Sequence, residues 1–187
     1  MTAQIVWQPS AERIAAANMT AFMREAASRW SRVFADYASL HRWSIEHPEE
    51  FWVSLWEFGG VIGERGATVV VDADRMPGAR WFPEARLNYA RNLLRRGPAD
   101  QGDALVFWGE DKVRRRMSHA ELYRRVAQLA AAMRAEGVSA GDRVSSYMPN
   151  MPEAIVAMLA AAAIGATFTS ASPDFGVQGV LDRFGQI

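Results

Sequence analysis

Along the second half of the chain the spacing of hydrophobic residues switches back and forth between two periods. In "ALVFWGEDKVRRRM" (104–117) two short runs flank Glu110 and Asp111, which predicts two strands joined there, the second polar enough to be an edge. Ser118 opens "SHAE", a capping box with Glu121 at the third helical position. Leu122, Val126, Leu129 and Met133 then recur at helical intervals until Gly137. "GDRVSSYM" supplies a strand from Arg143 or Val144. "NMPEAIVAMLAAAAIG" supplies a helix with Pro152 in its first turn and Gly165 as its stop, and "ATFTSA" supplies another strand. Strands alternating with helices of this length predict an α/β fold, with a parallel sheet under helical cover.

The last sixteen residues, "SPDFGVQGVLDRFGQI", open as a turn at Pro173 and Asp174. Val180, Leu181 and Phe184 then fall at helical spacing, leaving Asp182 and Arg183 for solvent. A helix starts and the sequence stops about two turns later without a proper cap, which raises the expectation of a missing downstream half.

The first part of the chain has a different texture. It is rich in Trp and turn residues, with helices rather than regular alternation. Ile14, Met19, Phe22 and Met23 share one side of an expected helix over 12–24, after Pro9 and Ser10. "HPEEFWVSLWEFGG" predicts a helix with Pro48 in its first turn and Glu49 and Glu50 at its positive end. Phe51, Trp52, Leu55 and Trp56 would form one apolar stripe, with Gly59 as the stop. "TVVVD" (68–72) predicts a short strand. "MPGARWFPEARLNYARNLLRRG" predicts a helix with Leu87, Ala90, Leu93 and Leu94 facing inward, ended by Gly97. The expected organisation is a mostly helical, Trp-rich region over 1–98, followed over 99–187 by the first parallel βα units of an incomplete α/β domain.

Composition narrows the functional classes. A compact chain of 187 residues buries roughly 70% of its unfolded surface, enough for a real core. Half of the residues are hydrophobic and seven are Trp, which excludes disorder. The net charge is zero, so no overall field gathers nucleic acid or anionic lipid, and neither partner is expected. Twenty of the 21 basic residues are Arg; Lys112 is the single lysine. Without Cys there is no disulfide, thiolate nucleophile or Cys-based zinc site. Residues 1–10 lack the basic and apolar regions of a secretory signal, and the apolar run over 154–164 is too short to span a bilayer. A soluble cytoplasmic protein is the expectation.

Motifs that carry chemistry are few. Gly59, Gly60, Gly63 and Gly66 do not make GxGxxG and follow a predicted helix rather than a strand; GxxxxGK[ST] is absent. His41, His47 and His119 have no ligand partner at helical spacing, His47 reading as a helix cap and His119 as part of the capping box. Asp72 and Asp74 read as a solvated turn, and Arg114 to Arg116 as solvated charge on an edge strand. No Ser-His-Asp grouping stands out.

Longer stretches carry a resemblance. "YASLHRWSIEHPEEFWVSLWEF" (37–58), "ARWFPEARLNYARNLL" (79–94), "GDRVSSYMPNMPEAIVAMLAAAAIGA" (141–166) and the final sixteen residues are together similar to the N-terminal part of acetoacetyl-CoA synthetases, members of the adenylate-forming acyl-CoA synthetases. The block over 141–166 is general to adenylate-forming enzymes. The Trp-rich block resembles the N-terminal extension of the acetyl- and acetoacetyl-CoA branch, and the final stretch points to acetoacetate over acetate. Within the second block, Glu84 and Arg91 stand where the resemblance leads one to expect Gly and Glu.

The resemblance implies a two-step ligase using ATP, CoA and Mg²⁺: carboxylate and ATP give an acyl-adenylate and pyrophosphate, and the CoA thiol then displaces AMP. Such chemistry needs a Gly- and Ser/Thr-rich phosphate loop and a catalytic lysine. In the family both lie downstream of the region matched here, and Lys112 has no counterpart among them. No catalytic or metal-binding residue is therefore assigned, and tight binding of ATP, CoA or Mg²⁺ by this chain alone is not expected. One contact carries over: Ser172, Pro173, Asp174 and Phe175 match a loop beside the CoA adenine in acetyl-CoA synthetases, with Pro173 and Asp174 where that relative has glycines. A purely structural turn is the competing reading. At the level of the whole chain three readings stand: an N-terminal part of such a ligase, inactive alone; an interaction or regulatory module derived from it, pairing with the rest of a synthetase or through an exposed sheet edge; and a small α/β ligand-binding domain. Another short-chain acyl-CoA synthetase, such as one for acetate, is the alternative within the first.

Overall fold

The local signals at the start of the chain produce two helices where one was expected. In the computed structural model, which describes residues 6–110 and 112–187, Ser10 caps α1 (Ala11–Ala15) by accepting from the Arg13 N–H at 3.2 Å. Ala17 is extended, and α2 (Asn18–Trp30) starts afresh. The Ile14 carbonyl takes the Thr20 hydroxyl at 2.6 Å, which stabilises the break. The restart turns Phe22 and Ala26 into the core and leaves Ile14 and Met19 exposed, so the expected stripe does not form as one face.

The chain divides into two compact units, one ending at Arg86 and the other covering Leu87–Ile187. In the first, α3 (Tyr37–Glu46) begins with a reciprocal capping box between Asp36 and Ser39, and α4 (Pro48–Phe58) follows after His47. His47 serves as the junction of the two helices through its backbone; its ring makes no cap. Gly59 itself is right-handed, and the left-handed turn that ends α4 falls on Gly60 at φ 58°. Phe22, Ala26, Leu40 and Trp43 form the buried core, with Phe22 edge-on to Phe51 and Phe58. The stripe expected on α4 is split: Phe51 faces this core, whereas Trp52 and Trp56 pack on Trp81 and Phe82.

Glu50 ties these helices together. Its carboxylate accepts from the Trp43 indole N–H at 2.8 Å and from both Nε and Nη2 of Arg32 at 3.2 and 3.1 Å. Burial pushes the carboxyl up, but these bonds outweigh it and hold Glu50 below its ordinary value. Buried Ser54 accepts from the Trp30 indole and donates to the Glu50 carbonyl, so it brings no unmet hydrogen-bonding demand into the core. Short strands β1 (Gly63–Glu64), β2 (Val70–Val71) and β3 (Arg80–Trp81) follow, β2 pairing antiparallel with β3. The strand expected over 68–72 is thus reduced to two residues.

After β4 (Arg86–Leu87) the expected long helix is only α5 (Tyr89–Leu93). Ala90 is fully buried, while Leu87 and Leu93 are half exposed. Asn88 caps α5 by accepting from the Arg91 N–H at 2.9 Å and donates at 3.0 Å to the Ala162 carbonyl. β5 (Asp103–Gly109) and β6 (Val113–Ser118) form the antiparallel hairpin expected, with Glu110 left-handed at φ 44°; Asp111 lies outside the described residues. Ser118 caps α6 (His119–Ala135), accepting from the Glu121 N–H at 3.1 Å. The box is half made, because the Glu121 carboxylate accepts from Arg125 instead.

β7 (Arg143–Tyr147), α7 (Pro152–Ile164) and β8 (Thr167–Ala171) form a βαβ unit, β7 and β8 pairing in parallel from Arg143–Thr167 to Tyr147–Ala171. The mixed α/β fold read from the sequence is present, with β7 and β8 forming a two-stranded parallel sheet. Leu122, Val126 and Ala130 of α6 pack with Val156, Leu159 and Ala160 of α7 in the core of this unit. A 3-10 turn, η1 (Pro173–Phe175), leads into α8 (Gly176–Phe184), none of whose residues is buried. Among the described residues no helix is long and apolar enough to cross a membrane.

Leu159 is 1% exposed, and Leu159→Ala should cost about 2–5 kcal/mol in urea unfolding followed by circular dichroism. Ser146→Ala should be neutral or stabilising, because the buried Ser146 Oγ has no hydrogen-bond partner among the described residues. The Arg115–Glu153 pair, two bonds of 2.7 Å from β6 to the first turn of α7, holds the Glu153 carboxyl below its ordinary 4.5. A depressed carboxylate stabilises the fold above its unfolded value and loses that contribution as the pH falls through the folded one. Glu153→Gln should therefore flatten the acid limb below about pH 4.5 in a melting-temperature profile; an unchanged limb would assign it to other carboxylates.

Candidate functional site

Parallel strands joined by a helical crossover deliver their carboxyl ends to one edge, where ligands of open α/β sheets bind. Here that edge is formed by Tyr147, the last residue of β7, and by Ala171 at the end of β8, with η1 directly after it. The Met148 N–H extends the ladder to the Ala171 carbonyl at 3.3 Å. All four residues of the stretch singled out from the sequence, Ser172, Pro173, Asp174 and Phe175, lie here together.

Three contacts fix this turn. The Tyr147 hydroxyl donates to the Pro173 carbonyl at 2.8 Å, pinning the turn to the end of the neighbouring strand. Ser172 Oγ donates to Asp174 Oδ2 at 2.7 Å, and the Phe175 N–H closes on the Ser172 carbonyl at 3.2 Å. The Arg183 guanidinium, one helix further on, lies 3.7 Å from the centroid of the Phe175 ring, and its Nη1 donates to the Gly179 carbonyl at 3.0 Å. Gly179 permits the approach: a Cβ there would stand 3.1 Å from Phe175 Cβ and 3.4 Å from Arg183 Nη1. The result is a hydrogen-bonded turn carrying a 46% exposed aromatic ring and a carboxylate that accepts from Ser172. Such a surface can stack and hydrogen-bond a planar group.

Tyr147 and Arg183 are the members of this arrangement that sequence reading did not assign. Tyr147 reaches a partner 26 residues away, which no local period encodes. Arg183 is read from spacing as a solvent-facing residue, and its contact with Phe175 becomes visible only once η1 turns the ring back over α8.

The remaining candidates disperse. His41 stacks on Tyr37, the His47 ring stands 3.9 Å from Glu50, and His119 starts α6. Asp72 sits between Arg75 and Arg80, at 3.8 Å from each. Arg114 lies over Trp108, Arg115 pairs with Glu153, and Arg116 pairs with Asp103, so the basic run is occupied within its own unit. Lys112 follows the β5 strand in the hairpin loop, its N–H bonded to the Gly109 carbonyl. Among the described residues no group of three or more His, Cys, Asp or Glu side chains is placed to hold a metal ion. Glu84 lies in the turn after β3, and its carboxylate accepts from residues 67 and 68.

Residues 37–93 match the family model of the acetyl-coenzyme A synthetase N-terminus, and residues 94–184 match that of AMP-binding enzymes. The two matches run end to end, and the chain belongs to the AMP-binding enzymes that carry this N-terminal region. Within that class it corresponds to the N-terminal part of acetoacetyl-CoA synthetases. It is 52% identical over 182 residues to the acetoacetyl-coenzyme A synthetase of Rhizobium meliloti (strain 1021), covering 97% of this chain and 28% of that protein. Against the acetoacetyl-CoA synthetase of Xenopus tropicalis the identity is 41% over 195 residues, covering 100% of this chain and 28% of the relative. The solved acetoacetyl-CoA synthetase from Streptomyces lividans superposes with a TM-score of 0.88 at 46% identity, over 99% of this chain and 29% of that one. The chain thus spans a little more than a quarter of the length of these relatives.

Removing the latch tests the rigidity of the turn. Tyr147→Phe should cost no more than about 1.5 kcal/mol, because the residue is half exposed. Hydrogen exchange of the Phe175 amide should nevertheless become several-fold faster. Unchanged exchange would mean that the turn holds itself.

Proposed function

We propose that this chain is the N-terminal part of an ATP-dependent acetoacetate–CoA ligase. In that reaction an acetoacetate carboxylate oxygen attacks the α-phosphorus of ATP and pyrophosphate leaves. The CoA sulfur then attacks the acyl carbon of the adenylate, and AMP leaves with the bonding pair. The observation that carries this reading is the 52% identity to a named acetoacetyl-CoA synthetase over 97% of the chain, with both family models in consecutive register.

The chain's own part in this reaction is architectural and, at one edge, ligand-facing. We assign to Ser172, Pro173, Asp174 and Phe175 a contact with the adenine end of CoA. Phe175 offers its ring, and the backbone of the turn lies beside it. Pro173 fixes φ and its carbonyl is taken by Tyr147, so recognition here rests on stacking and on the Asp174 carboxylate rather than on a pliable glycine backbone. No step runs through a metal or a lysine held by these residues; phosphate, Mg²⁺ and the acyl group are handled by the rest of the ligase, which is the principal partner of this chain. A cytoplasmic setting suits that chemistry. Similarity extends to the malonamoyl-CoA synthetase vrtB of Penicillium aethiopicum at 36% identity, which fits an acyl preference set outside this region.

The test is ATP–pyrophosphate exchange on protein purified from its own cells, with acetoacetate and acetate compared, and intact mass measured on the same sample. Exchange supported by acetoacetate, from a polypeptide that carries this sequence as its amino-terminal part, is the expected result; the 187-residue chain alone should show none. Exchange catalysed by the isolated chain, or preferential exchange with acetate, would overturn the assignment.

A further inference from the structure

Glu84 and the loop before β2 form a site that the ligase reading does not use. Glu84 Oε2 accepts from two successive backbone donors, the N–H of Ala67 at 2.8 Å and of Thr68 at 3.1 Å. Its Oε1 accepts from the Thr68 hydroxyl at 2.7 Å. Consecutive amides aimed at one oxygen, with a hydroxyl for the second, are the elements of an anion nest. Gly66 makes the approach possible: its φ is +77°, and a Cβ there would lie 2.6 Å from both Glu84 Cβ and Oε2. Hydrogen bonds from the Thr68 hydroxyl, the Thr68 N–H and the Ala67 N–H hold the Glu84 carboxyl below its ordinary value, with no cation among the described residues contributing. The affinity for negative charge therefore belongs to residues 66–68 themselves, and Gly66, Ala67 and Glu84 are all exposed.

We propose that Gly66–Thr68 is an oxyanion-binding site that the chain fills with its own Glu84, and that it accepts an external carboxylate or phosphate when that side chain is withdrawn. The ligand needs two oxygens spaced as in a carboxylate, one for the paired amides and one for the hydroxyl. Glu84 is the tethered competitor. Its high local concentration keeps free oxyanions out of the unmodified chain.

The test is a Glu84→Ala chain titrated with sodium phosphate and, separately, sodium acetate, each against sodium chloride at equal ionic strength. The readouts are the melting temperature and the ¹⁵N amide shifts of Ala67 and Thr68. The variant should melt below the parent, and one or both oxyanions should restore the loss saturably while shifting these two amides; the parent should not respond. Rescue by acetate alone would define a carboxylate site, and rescue by phosphate alone a phosphate site. Adding Thr68→Val should weaken the rescuing anion by about tenfold, the loss of one charge-assisted hydrogen bond. If Glu84→Ala does not fold, Glu84→Ser, whose hydroxyl is too short to reach the two amides, provides the same amide readout. The proposal falls if neither anion moves the two amides in a folded variant, or if the parent responds equally.

Discussion

A helix without a polar face has to be enclosed, and α7 is such a helix. From Ala154 to Ile164 it carries no charged or hydrogen-bonding side chain, so every side of it must meet protein. The second unit is organised by that demand. α6 covers one side through Leu122, Val126 and Ala130. α5 comes close on another through Ala90, which is small enough to be fully buried, while β7 and β8 flank the same helix. The backbone has its own requirement at the carboxyl end of α7, where carbonyls lack the regular helical partner: Asn88 donates to those of Ala162 and Ala163, and left-handed Gly165 turns the chain into β8. The alanine content of α7 lets its neighbours approach closely, and the βαβ connection that brings Tyr147 and η1 to one edge is the outcome.

The first unit solves a different problem. Its core is aromatic, and indole rings bring N–H groups that must be satisfied when buried. Trp30 and Trp43 donate to Ser54 and Glu50, so a hydroxyl and a carboxylate inside the helical cluster are the complement of its tryptophans rather than defects in it. Arg32 then neutralises the carboxylate and draws the residues after α2 against α4. Removal of either acceptor would leave an indole without a partner, which costs more than the hydrogen bond itself contributes.

What could be read from the sequence was what short-range chemistry determines. Ser118, Pro152 and Gly165 bound their helices as expected, and β7, α7 and β8 fall where periodicity places them, because capping and burial patterns are local. α3 escaped prediction although Asp36 and Ser39 offered a capping signal, since its buried residues, Leu40 and Trp43, are too few to mark a stripe. The break between α1 and α2 depends on a hydroxyl reaching back six residues, and the short α5 on a contact between positions 88 and 162. Neither leaves a periodic trace. The candidate edge was legible by resemblance at Ser172 to Phe175, whereas Tyr147 and Arg183 join it only through tertiary geometry.

The placement of the tryptophans has an optical consequence. Trp7, Trp30, Trp43, Trp52, Trp56 and Trp81 precede Arg86, and Trp108 is the single indole after it. Indole emission, excited selectively, is therefore chiefly a reporter of the first unit, and the unit that carries η1 contributes a single indole, two-thirds exposed beneath Arg114. A melt followed by fluorescence and one followed by backbone ellipticity watch different parts of this molecule. Their coincidence or separation tells whether the aromatic bundle and the βαβ unit lose their structure as one cooperative body or as two.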